Sequence, residues 1–196
     1  MPEAADEKSS QPPGTGACMK RLILMRHAKT EPWTEGIDDF GRALTPQGHD
    51  DARRMAEELV AQGWSPGLIL VSSARRARET CAEVAAVVTG EKVRPMESLY
   101  LTGVRGLTEA VRQNDRASTL MVIGHNPGLH DFALSILKEA GSTDHRAAGR
   151  LHEKFPTSCA ALFEADEEGP FVPAQMKLTR VLRAKDFRGM DADDAP

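Results

Sequence analysis

The chemistry-bearing residues of this chain stand at the ends of short apolar runs. Leu22–Met25 breaks abruptly into Arg26 and His27, within LILMRHAKT. Leu68–Val71 ends at Ser72 and opens SSARRARET, with Arg75, Arg76 and Arg78 close together, and Leu120–Ile123 leads into GHNPG with His125. An imidazole with a pKa near 6.5 is a usable nucleophile at neutral pH. Guanidinium groups offer planar forks to anionic oxygens. A histidine among arginines at strand ends is therefore the makings of a phosphate site in which the histidine takes the phosphoryl group.

Such a site needs elements that bring the three runs side by side. Each run is short, apolar and β-compatible, and helical patterns separate them. Strands are expected at Arg21–Met25, Leu68–Val71 and Leu120–Ile123, with later ones at Ala160–Glu164 and Lys177–Leu182 separated by a turn-rich EADEEGP. Thr45-Pro46 signals a helix start, Ala52, Met55, Ala56, Leu59 and Val60 keep helical spacing, and Gly63 ends it. Ala77, Cys81, Val84 and Val88 form a second stripe, Leu107, Ala110 and Val111 a shorter one, and Leu129, Phe132, Ala133, Ile136 and Leu137 a further one. This alternation predicts a single three-layer α/β/α domain with a mostly parallel central sheet. In such sheets ligands bind beyond the carboxyl ends of the strands, where helix N-termini favour anions.

At 196 residues the chain suits one such domain. Residues 1–18 are Pro/Gly/Ser-rich and residues 189–196 acidic, so both are expected to be disordered tails around a domain spanning 19–188. Without the tails, which carry the whole of the acidic excess, the remainder is close to neutral. Few aromatics and no basic cluster interleaved with them argue against a nucleic-acid groove. No stretch approaches the roughly 20 apolar residues of a membrane span and none reads as a signal peptide, so a cytoplasmic protein is expected, and a monomer is the expected state. Cys18, Cys81 and Cys159 are odd in number and lack ligand spacing, which fits ordinary reduced thiols. No metal-ligand motif is present, so neither metal nor cofactor is expected.

These motifs together resemble the histidine phosphatase (phosphoglycerate mutase-like) superfamily. Its signature is a strand ending in Arg-His-Gly/Ala, a later S-P-x-x-R-x-x-x-T and a G-H towards the end. Here they read Arg26-His27-Ala28, Ser72 to Thr80, and Gly124-His125. RHAKT, LTPQG, ESLYL, GHNPGL, KFPTSCAALFE and LRAKDF are similar to the small SixA-type phosphohistidine phosphatases. Two departures stand out: Ser73 replaces the usual Pro, and residues 141–152 do not align.

The resemblance implies a phosphoglycerate mutase-like fold, His27 as nucleophile, and Arg26, Arg76 and His125 around the phosphoryl group, with His125 donating best as a cation. Helical periodicity turns Arg75 to solvent and leaves Arg76 and Arg78 open; the family spacing selects Arg76. Lys29, Ser72 and Asn126 are further candidates for substrate binding. His49, His130, His145 and His152 stand outside any motif; Trp33 and Trp64 read as packing residues, with Trp33 close enough to the RHAKT turn to line a pocket.

Larger relatives that cleave phosphate esters carry an acid downstream of the second arginine motif. In ESLYLTGVRGLTE the positions to consider are Glu97, Tyr100 and Glu109, each of which reads better as a surface group, Glu97 being the first to suspect. A phosphohistidine substrate removes the need for that acid, because its leaving group departs as neutral imidazole. The expected substrate is accordingly phosphohistidine in a protein; a small-molecule phosphate ester and a non-catalytic phosphate-recognition module are the alternatives.

Overall fold

The computed structural model describes residues 19–36 and 38–187. The expected tails, and with them Cys18, lie outside the described residues. Among the described residues six strands form one sheet: β1 (Met19–Arg26), β2 (Leu68–Ser72), β3 (Lys92–Met96), β4 (Thr119–Gly124), β5 (Cys159–Gly169) and β6 (Lys177–Arg183), in the order β3-β2-β4-β1-β5-β6. The β3-β2, β2-β4 and β4-β1 pairs are parallel, and β5 runs antiparallel to both β1 and β6. Five α-helices cover the sheet: α1 (Pro46–Ala61), α2 (Arg75–Val87), α3 (Val104–Arg112), α4 (Gly128–Ala140) and α5 (His145–Glu153).

Alternation along the strands divides the interior into two cores. Ile23 and Met25 of β1, Ile69 and Val71 of β2 and Met121 and Ile123 of β4 pack with Ala52, Met55, Leu59, Ala77, Cys81 and Val84 of α1 and α2. Leu22, Leu24, Leu70, Leu120 and Val122 face the other way, onto Leu107, Leu129, Phe132, Ile136 and Leu151 of α3, α4 and α5. Strands buried on both faces read as unbroken apolar runs, which is why β1, β2 and β4 were visible in the sequence. The α/β/α sandwich is the expected fold class.

Thr45 caps α1 by accepting from the Gly48 amide, with Pro46 in the first turn. One local expectation needs correction, and two elements gave no signal in the sequence. EADEEGP is not a turn: β5 continues through Gly169, and its outer half carries charge because Lys177 pairs with Asp166 at 2.7 Å in the open. β3, KVRPM, was invisible as a strand because it is an exposed edge, where charge and proline discourage further pairing. Residues 141–152 include all but the last residue of α5, capped by Asp144, with only Ala147 and Leu151 buried, too few apolar positions to announce a helix.

Trp64 packs inside, with the Arg21 guanidinium over its ring, whereas Trp33 is 68% exposed and fills no core. Cys81 and Cys159 are buried thiols whose pKa values burial pushes up to about 11 and about 12, which makes them unreactive. No helix among the described residues is long and apolar enough to cross a membrane.

Candidate active site

The register of the parallel pair β1-β4 builds the centre of the site. Arg26 lies opposite Gly124, so His27 and His125 leave adjacent strands at the same level, and the His27 amide still donates to the Gly124 carbonyl at 3.1 Å. Their rings sit 5.2 Å apart, centroid to centroid. β2 lies on the far side of β4, which brings Ser72 to His125: His125 Nε2 and Ser72 Oγ are 2.8 Å apart. Three strands separated by long stretches of chain thus deliver three polar side chains to one crevice.

The turn after His27 is held from several sides. Ala28 N–H donates to Thr80 Oγ1 at 3.0 Å, while that hydroxyl donates to the Arg76 carbonyl at 2.7 Å, tying the turn to α2. Ser158, whose φ of 52° places it in the left-handed region, donates its amide to the His27 carbonyl. α1 starts so close by that a Cβ on Gly48 would lie 2.1 Å from the Lys29 carbonyl oxygen, hence glycine there. The imidazole is only 7% exposed, and its orientation follows from a fixed backbone.

His27 Nδ1 lies 2.8 Å from the Ala28 carbonyl oxygen. A carbonyl only accepts, so Nδ1 carries the proton and the lone pair stays on Nε2. Burial lowers the His27 pKa to about 3; the Ala28 bond opposes this, while positive charge at His125, Arg76 and Arg26 adds to it. The ring is therefore neutral, the nucleophilic form. His125 is likewise lowered to about 4, first by burial and then by Arg76, partly offset by Asp39. His125, which donates best as a cation, is thus neutral in the ligand-free protein: two guanidiniums and a dry environment oppose the charge, which an arriving anion would favour.

Both groups titrate below the unfolded value, so the sign is clear. The unfolded chain takes up protons near pH 6.5 that the folded one refuses; the stabilisation is full above pH 6.5 and is lost as pH falls towards about 4 for His125 and about 3 for His27. The imidazole C–H resonances of His27 and His125 are accordingly expected not to shift between about pH 8 and about pH 5.5 in the ligand-free protein. A titration near pH 6.5 at either ring would contradict the buried, neutral pair.

Arg76 is the arginine of α2 that turns inward: it is 4% exposed, whereas Arg75 and Arg78 are exposed. Arg75 instead forms an i,i+4 pair with Glu79 at 2.7 Å. Arg76 Nη2 donates to Asp39 Oδ2 at 2.8 Å and Nη1 to the Asp39 carbonyl. Tyr100 donates its hydroxyl to the same Oδ2 at 3.0 Å, and its ring meets His125 edge-on at 5.5 Å. The chain just after Tyr100 packs on the start of α4 at Gly128, where a Cβ would fall 1.8 Å from the Thr102 carbonyl oxygen.

Arg26 and Asn126 are drawn together by one acceptor, the Phe155 carbonyl, at 3.1 Å and 2.8 Å. Arg26 Nε, His125 Nδ1 and Asn126 Oδ1 are buried yet have no hydrogen-bond partner among the described residues. Buried polar atoms are rarely left so, and here three belong to one cluster, as in a site shaped to meet a polar ligand.

Of the residues singled out from sequence, the structure brings together Arg26, His27, Ser72, Arg76, His125 and Asn126. Ser72 serves His125 and is not a helix cap, since α2 begins after Ala74. Lys29 lies on the surface with its ammonium on Gln47 at 2.7 Å. Glu97 and Glu109 are exposed. His49 pairs with Glu83, and His130 stacks on Phe155 and bonds the Leu151 carbonyl. Among the described residues no three His, Cys, Asp or Glu side chains converge as a metal-binding group.

Sequence reasoning missed Asp39 and the Phe155 carbonyl. Asp39 sits in an irregular loop where no period marks it, and a carbonyl acceptor has no side-chain signature.

A doubly covered sheet with two histidines and two arginines at its carboxyl edge defines a phosphoryl-handling α/β enzyme. The profile of the histidine phosphatase superfamily (branch 1) matches residues 22–126, and the chain belongs to that superfamily. As a member it is a phosphatase acting on a phosphorylated substrate. An uncharacterized protein of Mycobacterium tuberculosis is 35% identical over 139 residues, covering 70% of this chain and 85% of its own. An uncharacterized chloroplastic protein of Arabidopsis thaliana is 36% identical over 126 residues, 58% of this chain and 57% of its own. Among solved structures, the putative phosphohistidine phosphatase SixA from Nakamurella multipartitia superposes with a TM-score of 0.72 at 25% identity, covering 86% of this chain and 97% of that one. The putative SixA from Agrobacterium tumefaciens superposes with a TM-score of 0.70 at 24% identity, covering 84% and 97%. Within the superfamily the fold is SixA-like.

Proposed function

We propose that this phosphatase removes the phosphoryl group of phosphohistidine in a protein by way of a phosphohistidine on its own His27. The observation that carries the reading is the bond from His27 Nδ1 to the Ala28 carbonyl, which leaves Nε2 as the free lone pair of a neutral ring. Nε2 attacks phosphorus while the bond to the substrate's ring nitrogen breaks. The leaving ring, protonated on its other nitrogen, departs as neutral imidazole. One phosphorus–nitrogen bond replaces another, so the step is close to balanced. Water then attacks the phosphoenzyme, releasing phosphate and restoring His27. Arg26 and Arg76 supply charge-assisted hydrogen bonds to the equatorial oxygens, and His125 becomes a better donor as the dianion raises its proton affinity. Ser72 holds His125, and Asn126 shares the Phe155 carbonyl with Arg26.

One observation favours a second reading, a phosphomonoesterase for small molecules: a carboxylate, Asp39, does reach the cluster. Burial alone would push its pKa up, but hydrogen bonds from Tyr100, Arg42 and Arg76 outweigh burial and hold it below the usual range. An ionised carboxylate has no proton for a departing alkoxide, and burial together with Asp39 raises the Tyr100 pKa, making the phenol a poorer acid still. The protein-phosphohistidine reading therefore stands first.

The test is a hydrolysis panel at equal concentrations: a protein phosphorylated on histidine, p-nitrophenyl phosphate, and phosphoserine. Phosphohistidine and the activated aryl ester are expected to turn over, with phosphoserine slower by about 10²- to 10⁴-fold, the usual worth of a general acid. Comparable kcat/KM for phosphoserine would sink the proposal and point to a proton donor at the site.

A further inference from the structure

We infer that Asp39 is the positioning residue of the phosphoryl clamp: its carboxylate and its own carbonyl grip the two Nη atoms of Arg76 and aim the rest of that guanidinium at the phosphoryl oxygens. The inference goes beyond the proposed activity, since nothing in the motifs of this chain assigns Asp39 a role, but it rests on reading Arg76 as an oxyanion clamp.

Arginine has five N–H donors in a rigid plane. Asp39 engages one on each Nη, through its side chain and its backbone, which fixes the plane of the fork about its long flexible stem. Two of the five donors are thereby used in holding the fork, and the others are the ones it can turn to further partners. A single carboxylate on a mobile loop could do the opposite and merely occupy the fork until phosphate displaces it. The structure argues against such a plug, because Asp39 is itself held from several directions.

Arg42 Nη1 lies 3.0 Å from Asp39 Oδ1, and the same guanidinium bonds the Glu31 carbonyl at 3.1 Å. Tyr100 takes the other carboxylate oxygen, with Phe40 packed edge-on against its ring at 5.0 Å. The loop is stapled to α2 at two points: the Arg75 amide donates to the Phe40 carbonyl at 3.0 Å, and the Leu44 amide to Glu79 Oε2 at 2.7 Å. The Asp38 carboxylate accepts from the Gly41 amide at 2.7 Å and closes the turn around Asp39. An anion bound this firmly to the scaffold orients its partner instead of yielding it. Through Tyr100, Asp39 also sets the ring that lies against His125.

The two roles predict opposite signs. Removing a negative charge beside an anion site should tighten anion binding if Asp39 competes with phosphate, and weaken it if Asp39 aims Arg76. Asp39→Asn, close to isosteric and still able to accept from Tyr100, is expected to weaken inorganic tungstate binding about tenfold and to lower kcat on p-nitrophenyl phosphate about 10²-fold, as a small misplacement of a clamp does. Asp39→Glu keeps the charge but displaces the fork, and is expected to lose kcat as well. In an Arg76→Ala background Asp39→Asn should cost little more, because the group it positions is gone. Tighter or unchanged tungstate binding by Asp39→Asn, wild-type kcat in Asp39→Glu, or an undiminished cost in the Arg76→Ala background would each overturn the inference. Arg76→Ala alone tests the reading beneath it: wild-type tungstate affinity there would refute the clamp, whatever Asp39 does.

Discussion

His27→Ala is expected to give a folded protein whose phosphatase activity falls by on the order of 10⁴-fold or more, the scale on which enzymes lose rate when a covalent nucleophile is removed. The ring supplies Nε2, and no other described side chain of the cluster pairs a neutral, buried imidazole with a proton fixed on the remote nitrogen. His125, the obvious understudy, has its Nε2 engaged with Ser72. Folding should survive because the backbone bonds of His27, to Gly124 and from Ser158, do not use the side chain. The ring belongs to neither hydrophobic core, so the change should stay within the usual range of about 0.5–3 kcal/mol. Two measurements check this together. Thermal unfolding should remain cooperative, and rapid quenching of wild type with labelled substrate should trap an acid-labile, alkali-stable phosphoenzyme that the variant lacks. Substantial turnover by a well-folded His27→Ala protein is the result that would falsify covalent catalysis at this position.

Arg76→Ala should lose about 10²- to 10⁴-fold in kcat, while Arg75→Ala, one residue away, should stay near wild type. Removing one preorganised donor to transition-state charge costs about 10²- to 10³-fold, and Arg76 can present more than one. It also anchors Asp39 at 2.8 Å and lies 5.8 Å from the Tyr100 ring, so its loss releases the groups around His125. Arg75 has its side chain 59% exposed and pairs with Glu79 on the helix surface, an arrangement worth about 0.3–0.5 kcal/mol. Arg76→Lys is expected to recover only part of the loss, because an ammonium keeps the charge but cannot hold Asp39 with two nitrogens and still offer a planar edge. Single-turnover rates with p-nitrophenyl phosphate make the comparison. Equal losses for Arg75→Ala and Arg76→Ala would mean that the clamp is built from helix charge and not from one inward-facing fork.

Much of this was legible because it is local. Apolar runs with abrupt polar ends announced β1, β2 and β4, and helical stripes announced α1 to α4, since burial on one face leaves a period in the residues. The catalytic candidates stood at the ends of those runs, in motifs short enough to read. Where burial leaves no period, little could be read. β3 has an exposed edge, the outer half of β5 is solvated and charged, and α5 buries only Ala147 and Leu151.

By itself the sequence determined the residue types, the doubly wound frame and the order of the three motifs, all consequences of local pattern. Only the tertiary structure decided which arginine turns inward, because periodicity left Arg76 and Arg78 on either side of one stripe, and packing of α2 against α1 and the sheet buries the first and exposes the second. It decided the charge of His27 and His125, since desolvation depends on what surrounds a ring and not on its neighbours in the chain. It also decided that Asp39, 37 residues before Arg76, would be the carboxylate in contact with the clamp. Such a contact is made by a loop folding back across the ends of the strands, and no spacing in one dimension encodes that distance in three.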